Sequence, residues 1–144
     1  MLLRNQDTEL TLNLLGFEFP ESAQGPVHDD WLVVAVTLRE RRRHFYAAHT
    51  ALALEEAHQL AAWLREQAFA TTPASFVPSE GALAFEAQPL AGGCRLLVRL
   101  DLEFRPPWAG PEGACLEFVP GTRDVLALAA SVHEAVQAFV PQGV

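Results

Sequence analysis

Apolar and polar residues alternate in strict step along Cys94 to Trp108. Leu96, Val98, Leu100, Leu102 and Phe104 fall on one face, and Arg95, Arg99, Asp101, Glu103 and Arg105 fall on the other with Leu97. Period two of this kind marks a strand with one face on a core and one in water. Pro106-Pro107 stops it, because proline cannot donate to a ladder and restrains the residue before it.

The rest of the chain supplies partners for that face. Glu9 to Phe19 reads as a strand in which Leu10, Leu12 and Leu14 share one face; Phe17 and Phe19 take the opposite parity after Gly16. A glycine at the phase change predicts a bulge. Pro20 ends this strand and Glu21 to Asp30 is a polar loop. Trp31 to Leu38 is apolar on both parities, as an inner strand requires, with Trp31 expected in the core. The charged stretch Glu40 to Arg43 connects it to a return strand, His44 to Thr50. Leu54 to Phe69 then changes period. Leu54, Ala57, Leu60, Ala61, Leu64 and Ala68 recur at three and four, which predicts an amphipathic helix with Trp63 at the edge of its stripe.

Ser75 to Pro78 is short and extended at most. Leu83, Phe85 and Ala87 alternate as a further strand, Pro89 to Gly93 is a turn, and Leu116 and Phe118 mark a short strand with Glu117 facing out. Thr122 is a suitable N-cap for a last helix whose stripe is Val125, Leu128, Ala129, Val132, Val136, Phe139 and Val140, closed by Pro141. The expectation is one α+β domain over residues 1–144: a mainly antiparallel sheet of about six to seven strands with two amphipathic helices packed on it. No internal sequence repeat is visible.

Composition narrows the class. The chain has 144 residues, half of them hydrophobic, enough for a core without disulfides or metal. Its net charge of -8 excludes nucleic acid as a default partner, and suits plain solubility or steering toward a basic protein. All 10 basic residues are arginine, a compositional bias. No apolar run approaches the roughly 20 residues needed to cross a bilayer, and the first residues lack the apolar core of a signal peptide. A soluble cytoplasmic protein is the expectation, with no membrane partner.

Candidate chemistry is sparse. His44 and His49 differ by an odd number and so face opposite sides of a strand. His58 has Glu55 three residues before it, and His28 precedes Asp29 and Asp30, yet no paired metal-ligand spacing occurs. No metal and no cofactor is expected. If the last two strands pair as a hairpin over residues 106–113, Cys115 lies opposite about residue 104. Cys94 is then about ten residues away along the ladder, roughly 30 Å, so two free thiols are expected. Both thiols sit among apolar residues, the setting of an inert buried cysteine. Arg99, Asp101, Glu103 and Arg105 project from one strand face. They are either a solvated surface carrying weak ion pairs or one wall of a groove. Arg41-Arg42-Arg43 is too small a patch for nucleic acid. Trp108, on its proline platform, either tucks into the core and pins the loop or serves as a binding hot spot.

Five pieces in order resemble the WapI-type immunity protein family of bacteria. They are Phe19-Pro20-Glu21, Asp30-Trp31-Leu32-Val33, Leu60-Ala61-Ala62-Trp63-Leu64, Phe76 with Leu83-Ala84-Phe85-Glu86, and Phe104-Arg105-Pro106-Pro107-Trp108. The chain departs from the family pattern at Pro78-Ser79-Glu80, where the glutamate follows the proline, and in the short connection Glu40 to Arg43. The resemblance implies a small cytoplasmic protein, not an enzyme, that binds and neutralises a cognate toxin. It carries over neither the partner nor the contact residues; from the residues themselves, Asp29, Asp30, Arg105 and Trp108 are the candidate partner-binding positions. Two alternatives stay open: a ligand-binding or enzymatic domain using the charged face Arg99 to Arg105, and a structural or regulatory oligomer.

Overall fold

Trp31–Glu40 (β3), apolar on both parities, is an inner strand, paired on both edges. Thr8–Phe17 (β2) lies on one side of it and Arg43–Ala53 (β4) on the other, both antiparallel. The computed structural model describes residues 1–18 and 30–139. The expected end of the first strand at Phe19 and Pro20, the loop from Glu21 to Asp29, Val140 and Pro141 lie outside the described residues. A strand not foreseen in the sequence, Leu2–Arg4 (β1), pairs with β2 and completes a sheet in the order β1-β2-β3-β4. At three residues it is too short to show a period.

The expected bulge is present. The β2–β3 register shifts between Leu14 and Gly16, and Gly16 sits at φ +145, which an L side chain rarely adopts. A second shift on β4 faces the same part of β3, where Leu32 pairs with Leu52 and Val33 with Thr50. Bulges of this kind bend the strand that carries them and increase its twist. Leu10, Leu32, Val36 and Leu38 are wholly buried on the inner face. Trp31, expected in the core, is only half-buried, as the first residue of the strand.

Leu54–Gln67 (α1) follows β4 without a loop. Glu55 and Glu56 suit the positive end of its dipole. Glu56 also ties the entry down: its Oε1 accepts from the Ala53 N–H at 3.0 Å and its Oε2 from the Ser79 N–H at 2.7 Å. Trp63, expected at the stripe edge, is buried against Phe76 and Phe85, with ring centroids 6.0 Å and 6.4 Å away.

The second half repeats the plan. Ala74–Phe76 (β5), Leu83–Leu90 (β6), Gly93–Leu100 (β7) and Ala114–Phe118 (β8) form another antiparallel sheet, in the order β5-β6-β7-β8, followed by Thr122–Gln137 (α2). The architecture is α+β, but the single sheet of six to seven strands is corrected to two four-stranded sheets. Period two along the chain reports strands and their faces. It carries no information on which edges meet, so a break between β4 and β5 is invisible to it.

Three further expectations are revised. The strand from Cys94 ends at Leu100, not at Phe104. Asp101 accepts from the Leu102 N–H at 2.8 Å and starts a 3-10 turn over Leu102–Phe104, with Leu102 at φ +48. Leu102 is therefore exposed while Phe104 stays buried. Second, Gly121 and not Thr122 is the N-cap of α2, its N–H donating to Asp124 Oδ2 at 3.3 Å. Third, Cys115 pairs with Arg99 rather than with a residue near 104, because the shortened strand moves the register. Both thiols are free, yet Cys115 is exposed and only Cys94 is buried.

One hydrophobic cluster runs through both sheets and both helices, from Leu3 and Leu10 to Phe85, Leu96, Leu64 and Val132. Its large apolar side chains each contribute about 1.5–3 kcal/mol on burial.

Candidate functional site

Trp108 is held by the first sheet although the second sheet carries it. Its indole Nε1 donates to Glu40 Oε2 at 2.9 Å, its ring stands edge-on to Phe45 at 6.4 Å, and the Arg43 guanidinium lies 5.0 Å from its centroid. Glu40 and Arg43 face each other across the β3–β4 hairpin turn, where Arg41 takes φ +57. Pro106 is buried and Trp108 half-buried, so the loop after β7 is pinned onto that hairpin. The inward reading of Trp108 describes this geometry.

Asp30 sits at the opposite end of β3. Its carbonyl accepts from the Leu54 N–H at 3.0 Å, which joins the start of β3 to the start of α1. Ten residues of strand separate it from the Trp108 anchor, about 30 Å at strand rise. Asp29 lies outside the described residues. Arg105 is exposed between buried Phe104 and Pro106, and its guanidinium makes no ion pair among the described residues. The sequence candidates thus do not converge on one compact patch.

The charged face of β7 is also divided. Arg99 stays on the outer face of the second sheet, but Asp101 caps the 3-10 turn and Glu103 turns toward His49 Nε2 at 3.5 Å. Beside Arg99 the sheet forms an open trough of about 390 Å³, lined by Ser75, Ala84, Glu86, Leu97 and Cys115 with Arg99 and Asp101. Arg95 pairs with Glu117 at 2.7 Å at one end of this face, whereas Arg99 has no ion pair among the described residues. The Cys115 thiol lies directly across the ladder from Arg99. Cys94, by contrast, points into the core, and burial raises its pKa.

Sequence reasoning missed Glu40 and Arg43 as the partners of Trp108, and Ser75, Glu86 and Cys115 as neighbours of Arg99. Charges flanking a tight hairpin are a signal for the first pair, but their partner lies 68 residues away. The second group depends on the β7–β8 register, which the 3-10 turn alters. No group of three or more His, Cys, Asp or Glu side chains able to hold a metal occurs among the described residues. No helix among them is long and apolar enough to cross a membrane.

Comparison with curated proteins and with solved structures finds no match. The model of the immunity protein WapI-like family, however, matches residues 1–140, which takes in both sheets and both helices. The chain therefore belongs to the WapI-like immunity protein family.

Proposed function

We propose that this chain is an immunity protein that neutralises a toxin domain by binding it in the cytoplasm, with no catalysis of its own. The family match over residues 1–140 carries the reading. The net charge of -8 supports a basic partner, drawn in by long-range attraction that salt screens. Asp29, Asp30, Arg105 and Trp108 remain the first positions to probe. A standard interface covers about 800 Å² per partner, a patch roughly 30 Å across. One partner therefore reaches both Asp30 and Trp108 only by lying along the whole of β3.

The trough beside Arg99 favours a second reading, a small anionic ligand held by that guanidinium. Ligand pockets bury about 70–90% of their occupant, whereas this trough is walled by exposed side chains such as Val77. A protein surface suits it better.

The test is affinity capture from a lysate at low and high salt, followed by co-expression of the captured protein with this chain. A stoichiometric, salt-weakened complex whose partner stops cell growth alone but not beside this chain is the expected result. A partner that is no toxin, or a toxin that kills despite the chain, refutes the proposal.

A further inference from the structure

Two sheet edges face each other across a cleft in this fold. β1 is the outer strand of the first sheet and β8 the outer strand of the second. Between them opens a groove of about 530 Å³ whose walls are Leu2, Leu3 and Arg4 on one side and Val119 with Pro120 on the other. Its floor is the α2 surface at Asp124, Ala127 and Leu128. An exposed edge is a row of unpaired backbone groups, a template for a further strand.

Hydrogen-bond phase shows which groups are free. Met1 and Leu12 exchange both bonds, at 3.1 Å and 2.9 Å, and the Asn5 N–H donates to the Thr8 carbonyl at 2.9 Å. In an antiparallel ladder the bonded pairs alternate, so residues 1, 3 and 5 face β2 while Leu2 and Arg4 turn their N–H and C=O groups into the cleft. On the other wall the Cys94 N–H donates to the Pro120 carbonyl at 3.1 Å, so even-numbered residues face β7. The backbone groups of Glu117 and Val119 point outward. Asn5 demonstrates this, since its Nδ2 donates across the gap to the Glu117 carbonyl at 2.7 Å.

That bond occupies the Glu117 carbonyl and closes one end of the cleft, so the open groove lies between Met1 to Arg4 on one wall and Val119 with Pro120 on the other. Met1 to Arg4 offers about four residues of pairing length, ~13 Å. The β4 edge differs, because the turn Leu102–Phe104 lies against it and Glu103 reaches His49.

We propose that the β1–β8 cleft receives an extended segment of the partner protein as an added strand, bonded to both edges and joining the two sheets. This rests on the binding reading above. The inward side chains of the added strand meet Ala127 and Leu128, so they are apolar and alternate with solvent-facing polar ones. Arg4 is already matched by Glu9 at 3.0 Å, whereas Asp124 has no ion pair among the described residues. The segment therefore carries a basic residue within reach of Asp124.

The probe is a display library of random seven-residue segments panned against the full chain. Enriched segments are then synthesised with normal backbones and with N-methyl groups at alternate residues. Expected are alternating sequences with a basic residue, at least tenfold slower amide exchange at Leu2, Arg4 and Val119 when bound, and at least tenfold weaker binding after N-methylation. Val119→Pro removes one outward donor without touching the β7–β8 ladder and weakens binding by a similar factor. Wild-type chain with N-methylated peptide gives the same answer should that variant misfold. Absence of enriched segments, or protection elsewhere, overturns the proposal. So does protection of these amides in a free chain that sediments as a dimer, which makes a second copy the occupant. A chain that rescues cells from its toxin while these amides stay unprotected refutes the cleft and leaves the immunity reading standing.

Discussion

Trp108 shows how one side chain joins two sheets. Its bond to Glu40, its edge contact with Phe45 and the guanidinium of Arg43 act together on a half-buried ring. Trp108→Phe keeps the ring and loses the indole donor, and is expected to cost about 1 kcal/mol in urea unfolding. Trp108→Ala loses the packing as well and is expected to cost about 3 kcal/mol. Equal effects from the two would show that the hydrogen bond carries everything. The two thiols are a second contrast. Cys115 should react with a disulfide reagent in the native protein and Cys94 only on unfolding. Burial raises the Cys94 pKa, so the fold favours its neutral form. That stabilisation is full below the ordinary value of 9.0 and is lost as pH rises through the folded value. Melting temperatures of wild type and Cys94→Ala should therefore converge above pH 9.0. A constant difference from neutral to alkaline pH would contradict the assignment.

At the scale of elements, entry into α1 depends on Glu56, which accepts from Ala53 at the helix start and from Ser79 beyond its end. Glu56→Ala removes two acceptors and is expected to destabilise by about 1–3 kcal/mol, read from the denaturation midpoint. A loss under about 0.5 kcal/mol would mean that water replaces both bonds. The β6–β7 turn relies on close approach instead: a Cβ on Gly93 would run into the Pro120 carbonyl oxygen. That turn meets the start of α2, where the Thr122 N–H donates to the Gly92 carbonyl at 3.0 Å. Helix periods and the Gly16 bulge were legible along the chain because each depends on neighbours within one or two turns. The 3-10 turn after Leu100 was not. Leu102 continues the apolar alternation while the local hydrogen bonds of Asp101 turn it out of the strand.

At the scale of the molecule, each sheet is followed by its helix, and neither half closes its own core. The cluster from Leu10 to Val132 runs through both, with cross-ties at Asn5 to Glu117, Trp108 to Glu40 and His49 to Glu103. Denaturation followed by tryptophan fluorescence and by far-ultraviolet dichroism should give one coincident transition, and residues 1–73 alone should remain unfolded. A folded fragment, or two separated transitions, would divide the chain into two domains.

Helix stripes, the strand faces up to Leu100 and the resemblance to an immunity family came from residue order alone, since each is written in the spacing of near neighbours. Which strands share a sheet, where β7 stops, what Trp108 holds and which edges face each other did not. Those depend on contacts between residues as far apart as Asn5 and Glu117, 112 positions along the chain, and on the phase of backbone bonds that side-chain pattern does not record.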